Sequence, residues 1–400
     1  MIGLEFVLRM TPHVRFGRGA VRDLPEGVRE LGGSRVLVVS DRGVQKAGIT
    51  DRLVEMLESE GLDVFVFSDV VPEPPVYVGD NATQMAKDVG ADIIVGVGGG
   101  SAMDVAKAVS VLVTNGGKVE DYQGVNKVPS KGLPKIVIPT TAGTGSEVTW
   151  TAVFSNPEKK TKGGINSPYL YPDLAILDPE LTLSLPPLIT ASTGLDAFTH
   201  AIESFIGKAA TPITKMFSLT AMDLIYNNIT KAVLSPDDID ARENMLYGSF
   251  LAGVALSNAG VGAVHAMAYP LGAVYNIPHG AANSILLPYV MDFNKNVCVD
   301  EFRDIAYIMG EKVDMMSRWE VTSAVVNNLH LLKEAIGLDM TLSMLGVEWE
   351  KIPELAQAAL RVDRPIANNP RLITKDDIIQ IYEEAYGVEE DFEDEDFEEV

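Results

Sequence analysis

Four side chains in the second half of this chain carry groups suited to metal chemistry: Asp196, His200, His265 and His279. The chain holds five histidines, and three of them belong to this set. Asp196 and His200 stand four apart in LITASTGLDAFTHAIESF, whose pattern is helical, so they project from one face a turn apart. His265 lies in a second helical stretch, GVGAVHAMAYPLG. His279, between Pro278 and Gly280, is expected on a turn just before the next helix. Any one of them alone reads as an ordinary core or surface residue. Together they sit in apolar, Gly/Ala-rich surroundings, where a polar group is costly to bury without a partner. A metal is one such partner. Three imidazoles and a carboxylate suit Fe(II) or Zn(II) and suit Ca or Mg poorly.

The elements that must position these residues fall into two kinds. The first half alternates strands with helices. SRVLVVSD (34–41), DVFVFSDV, ADIIVGVGGGS and LPKIVIPTTAGTGSEVT read as buried strands; ITDRLVEMLESEGL, NATQMAKDVG and SAMDVAKAVSVLVTN read as helices. That alternation predicts a parallel sheet covered on both faces, with ligands at the carboxyl ends of its strands. Residues 151–186 read as strands and loops. Beyond Pro186 and Pro187 nearly every segment reads as helix. The expected organisation is an α/β domain over 1–186, an all-helical, metal-binding domain over 187–387, and a disordered acidic tail over 388–400.

Two glycine-rich loops follow strands of the first half. Gly96-Val97-Gly98-Gly99-Gly100-Ser101 leads into a helix, where close backbone approach and free amides favour a pyrophosphate. Ser101 with Asp104 resembles a capping box. The spacing departs from G-x-G-x-x-G, because no glycine follows Gly100 at the right place. The second loop, Thr140 to Ser146, adds hydroxyls and flexible amides. Two such loops in one parallel sheet suit a nucleotide. Asp41 ends its strand, where an acid accepts from the adenosine ribose hydroxyls and repels a 2′-phosphate, favouring NAD over NADP. The same residue reads equally as a helix N-cap.

Composition narrows the classes. Hydrophobic residues make up 46% of the chain, as in folded globular proteins. The net charge of −24 argues against nucleic acid and anionic lipid as partners. No run of about 18 uncharged apolar residues is present, so no transmembrane helix is expected. The start, MIGLEFVLRMTPHVRFG, lacks a basic stretch followed by an apolar core, and no signal peptide is expected. A single cysteine, Cys298, excludes an internal disulfide and fits a cytoplasmic location.

Taken in order, FGRGA, GGGSAMDVAKA, IPTTAGTGSEVT, TGLDAFTHAIE, GVGAVHAMAYPLGAVYNIPHGAAN and NNPR resemble the iron-containing, or group III, alcohol dehydrogenase family over residues 5–387. The resemblance implies a Rossmann-like N-terminal domain, a helical C-terminal domain of the dehydroquinate synthase-like architecture, and a cleft between them. It places Asp196, His200, His265 and His279 at the family's metal, usually Fe(II) and sometimes Zn(II). It places Gly98, Gly99, Ser101, Asp104, Thr140, Thr141, Thr149 and Lys162 at the dinucleotide, and Asp41 at the position tied to NAD preference. A homodimer or larger homo-oligomer is implied as well. One position departs: where many members carry a second histidine in H-x-x-x-H, this chain has Tyr269, a candidate proton relay but a poorer base near neutrality.

The expected activity is hydride transfer between a nicotinamide cofactor, NAD before NADP, and a small primary alcohol or diol/aldehyde pair. A hydroxy-acid dehydrogenase of the same family is the alternative. An NAD-retaining lyase of the dehydroquinate synthase type would need convergent cations for a phosphorylated substrate. Between Ala209 and Ser284 only Lys215, Lys231 and Arg242 are basic. A non-catalytic scaffold would have no need of the four-ligand set and both loops together.

Overall fold

β-Branched runs with no solvent-exposed face build the centre of the first half. The computed structural model describes residues 6–9, 12–158 and 161–387; the acidic stretch 388–400 lies outside the described residues. The strands are β1 (His13–Phe16), β2 (Arg35–Asp41), β3 (Asp63–Val70), β4 (Ile93–Gly98), β5 (Gly124–Val125), β6 (Lys135–Pro139), β7 (Thr151–Asn156), β8 (Thr161–Asn166) and β9 (Leu174–Leu177). Six form a parallel sheet in the order β1-β9-β6-β4-β2-β3. Val36 to Val39 and Ile93 to Val95 are fully buried, as strands covered on both faces require. The chain runs from β2 outward to β3, then crosses back over β2 to β4. This reversal leaves a crevice at the carboxyl ends of β2 and β4, where α/β sheets bind ligands.

The sequence reading differs from the structure at the margins of this sheet. His13–Phe16 carries little alternation to mark it, yet it pairs along β9. The segment read as strands and loops divides. β7 and β8 form an antiparallel pair with β5 beside β8, and LAIL enters the main sheet as β9 between β1 and β6. Strand partners are set by tertiary packing, which local pattern does not encode.

From Pro187 onward the described chain is helical, apart from short turns. Helices Pro187–Ile206, Pro212–Leu234 and Ile239–Ala259 pack on one another, and Ala263–Tyr275 and His279–Asn294 follow. Their apolar core is continuous with the sheet: Met103, Val137, Ala175 and Leu177 share one cluster with Leu195, Phe198 and Met267. One contact shows how closely the halves meet. At Gly145 (φ 62°), in the second glycine loop, a Cβ would stand 2.5 Å from the Cα of Gly253 on the facing helix. Only glycine meets both the left-handed backbone and that approach. Among the described residues no single helix is long and apolar enough to cross a membrane.

Candidate metal and dinucleotide site

Three helices deliver the four candidate ligands. Asp196 and His200 share one face of Pro187–Ile206, His265 lies in the first turn of Ala263–Tyr275, and His279 opens His279–Asn294. His279 is therefore the first residue of its helix rather than a turn residue before it; Pro278 at the N-cap position starts the helix one residue early. Asp196 Oδ1 lies 4.0 Å from His200 Nε2, 3.8 Å from His265 Nε2 and 3.9 Å from His279 Nε2. Asp196, His200 and His265 are buried, and His279 is 27% exposed, so the set opens on one side.

The donor set fits a cation. The donor atoms of Asp196, His265 and His279 all lie within 4.8 Å of one another, against the roughly 3.4 Å expected of donors about 2.1 Å from a shared ion, while His200 stands outside that mutual grouping and meets it through Asp196. Asn283, one helical turn beyond His279, brings Nδ2 to 2.6 Å from Asp196 Oδ1 and 3.2 Å from both His265 Nε2 and His279 Nε2. A primary amide has two hydrogens for these three acceptors. Its own Oδ1 is buried without a hydrogen-bond partner among the described residues. The surplus of lone pairs is what a metal ion takes up. Electrostatics agree. Burial works to raise the Asp196 carboxyl, but His200, His279 and His265 pull it below its ordinary value. Burial, opposed by Asp196 and helped by Lys162, pushes His279 down to about 3, leaving a neutral imidazole. Burial lowers His200 as well, against Asp196.

Two residues behind the set escaped the sequence reading. Glu203 stands 2.6 Å from His265 Nδ1 and is buried. Its place three residues after His200, on the same helix face, was the available signal. Asn283 follows His279 by four and was equally legible as an (i, i+4) partner.

Tyr269 sits between the set and the opening. Its ring stacks on His279 at 5.6 Å and meets His265 edge-on at 6.5 Å. Burial pushes its phenol above the ordinary value, with Glu203 and Asp196 adding to the shift. The phenol therefore keeps its proton near neutral pH.

The two glycine loops leave adjacent strands, β4 and β6, on the side of the sheet that faces these helices. Gly98 pairs with Pro139, and its carbonyl accepts from Thr140 N at 3.0 Å. A Cβ on Gly99 would touch Thr141. Asp41 ends β2 and lies beside the first loop: a Cβ on Gly98 would stand 3.1 Å from Asp41 Oδ2. Asp41 Oδ1 caps the helix Arg42–Lys46, accepting from Gly43 N at 2.8 Å and Val44 N at 3.0 Å. The N-cap reading of Asp41 is thus observed, and its second oxygen lies beside the first glycine loop.

The capping box expected of Ser101 and Asp104 is not formed. The helix starts at Gly100 with Gly99 as its N-cap and no side-chain cap, so Ser101 is already within the first turn. Asp104 looks inward instead. Its Oδ1 accepts from Ser146 Oγ at 2.6 Å and its Oδ2 from Val153 N at 2.8 Å. Beside it, buried Lys107 donates to Ser146 O at 2.9 Å, to Ser146 Oγ at 2.6 Å and to Thr149 Oγ1 at 3.3 Å. Asp104, Lys107 and Thr149 tie down the second loop from below. Lys107, unassigned in the sequence reading, is the centre of that knot. Lys162, on β8, reaches the opening near Tyr269, with Nζ 5.6 Å from the ring centroid.

Comparison with known proteins covers both halves. The family model described as iron-containing alcohol dehydrogenase matches residues 11–179, and the C-terminal model of the Fe-containing alcohol dehydrogenase family matches 190–386. Long-chain-alcohol dehydrogenase 1 of Geobacillus thermodenitrificans is 41% identical, over 94% of this chain and 95% of its own. A crystal structure of 1,3-propanediol oxidoreductase superposes with a TM-score of 0.93 at 36% identity, covering 96% of this chain and all (100%) of that one. Sulfoacetaldehyde reductase from Bifidobacterium kashiwanohense, solved in complex with NAD+, superposes with a TM-score of 0.88 at 33% identity, covering 96% and 99%.

Proposed function

This chain belongs to the iron-containing alcohol dehydrogenase family, and from that premise we propose that it is an iron-dependent, NAD-linked dehydrogenase of small primary alcohols or diols. The observation that carries the reading is the gathering of the Asp196, His265 and His279 donor atoms within 4.8 Å of one another, with His200 4.0 Å from Asp196, in a fold whose glycine loops open beside them. When bound, the metal supplies Lewis acidity to the alcohol or carbonyl oxygen, and the nicotinamide supplies or accepts the hydride.

The chain's own part is positional. Asp196, His200, His265 and His279 hold the metal, with Zn(II) as the alternative occupant. Gly98, Gly99, Thr140 and Thr141 offer backbone and hydroxyls to the phosphates, and Asp41 presents a charge that favours NAD. Asp104, Lys107 and Thr149 hold the second loop rigid. The apolar packing between the halves excludes water around the reacting groups. Tyr269 keeps a proton beside the site, to donate when an aldehyde is reduced. Of the relatives' names, a long-chain alcohol and a diol support an uncharged alcohol as substrate class, while sulfoacetaldehyde is an anionic aldehyde. A domain boundary near 187, a cytoplasmic location and a closed homo-oligomer belong to the same proposal.

The test is NAD reduction by the anaerobic, Fe(II)-reconstituted protein over primary alcohols, diols and short hydroxy acids, with a chelator-treated control. Chelator-sensitive turnover of an alcohol or diol is expected. Metal bound with no turnover across the panel would overturn the reading.

A further inference from the structure

Between β3 and the helix Val76–Asp88 the chain runs Val71-Pro72-Glu73-Pro74-Pro75. Glu73 has φ 51°, in the left-handed region that non-glycine residues rarely occupy, and it precedes a proline, which biases a residue toward extended backbone. Such a conformation persists only where its surroundings hold it. Here Ser155 of β7 does so: its Oγ donates to Glu73 O at 2.9 Å, and its N donates to Pro74 O at 3.0 Å. Ser155 is also the cross-strand partner of Lys162 on β8. One strand pair therefore fixes both the unusual backbone and the lysine.

The result is an ion pair at the opening of the site. Lys162 Nζ donates to Glu73 Oε1 at 2.8 Å, with the two side chains 15% and 29% exposed. The Glu73 carboxylate rests against the helix that carries His265 and Tyr269: a Cβ added at Gly272 would stand 3.3 Å from Oε1. Lys162 lies over the Tyr269 ring, which in turn stacks on His279. The pair is thus one aromatic ring removed from the candidate metal ligands.

We propose that Glu73 is a specificity-determining residue: by occupying the Lys162 ammonium, it cancels the cation at the opening and makes the site select uncharged alcohols and diols over hydroxy acids. A free ammonium there would draw the carboxylate of an anionic substrate. Paired, it presents no net charge, and an incoming anion meets the Glu73 carboxylate at close range. Selectivity then rests on a repulsive element as well as on fit. The inference rests on the dehydrogenase reading and decides between its two substrate classes.

The experiment compares kcat/KM for 3-hydroxypropionate and 1-propanol in the Fe(II)-loaded protein with NAD, for the parent, Glu73→Gln and Glu73→Asn. Both substrates use the same cofactor, so any change in NAD binding through Lys162 divides out of their ratio. The ratio of acid to alcohol should rise about tenfold or more in both variants. Asparagine tolerates the left-handed backbone, so Glu73→Asn keeps the loop folded. Adding Lys162→Gln to Glu73→Gln should erase the gain. A ratio within about twofold of the parent overturns the proposal. Calorimetric titration of the Fe(II)- and NADH-loaded chain with 3-hydroxypropionate provides a readout without turnover. Tighter binding by both variants is expected, and unchanged affinity overturns the proposal. Tighter binding with no turnover of any alcohol would retain the role of Glu73 while removing the dehydrogenase reading.

Discussion

Glu203 Oε2 lies 2.6 Å from His265 Nδ1, and the other oxygen of the same carboxylate accepts from Val264 N at 2.7 Å. A carboxylate offers no hydrogen, so Nδ1 carries the proton and Nε2 keeps its lone pair toward Asp196. One buried side chain thereby sets the tautomer of His265 and anchors the start of its helix. Replacing Glu203 with Gln should lower iron affinity about 10- to 100-fold, as loss of such partners does at other metal sites. Chelator competition on the reconstituted protein measures this. Undiminished affinity would remove Glu203 from that role.

Asp41 joins a cap and a charge in one carboxylate, and the two separate by substitution. Asp41→Asn retains an oxygen for Gly43 N and Val44 N, so the thermal midpoint should scarcely move. The charge beside Gly98 is lost. The ratio of kcat/KM with NADP to that with NAD should rise about tenfold or more, because repulsion of a 2′-phosphate is relieved. An unchanged ratio would mean that Asp41 serves the helix alone.

Glu147, next to Ser146 in the second loop, is buried, and burial pushes its carboxyl up to about 7 from 4.5. Its Oε1 has no hydrogen-bond partner among the described residues. The folded state therefore holds more protons than the unfolded state between those values. Glu147 by itself should make stability fall as pH rises from about 4.5 to about 7, by roughly 3 kcal/mol in all, against the gain that the buried neutral imidazoles of His279 and His200 add over the same range. Glu147→Gln should remove this contribution, so that the stability of the parent relative to the variant falls as pH rises. Denaturant midpoints at about pH 5 and about pH 8 would show it, and an identical pH slope in the variant would assign the dependence to another group.

Much of the site was legible because chemistry and local periodicity coincide in it. Asp196 and His200 could be placed on one helix face from their spacing, and the strands before both glycine loops from their β-branched runs. Residues whose role depends on a distant partner were not legible. Asp104 looked like a cap because Ser101 preceded it by three; in the structure Ser146 and Val153, over forty residues away, take its oxygens. Nothing in the sequence singled out Lys107, yet it is fully buried beneath the second loop. Nothing local marks Glu73 as the partner of Lys162, 89 residues on.

The sequence by itself determined the alternation that makes a parallel sheet, the helical second half, the metal-suited donor types and the family. These follow from short-range pattern and residue chemistry, which a chain carries at every point along its length. Only the tertiary structure decided that β9 enters the main sheet, that Glu203 fixes the His265 tautomer, and that Glu73 neutralises Lys162 at the opening. Those are pairings between residues far apart in the chain, and their geometry exists only once packing has brought the segments together.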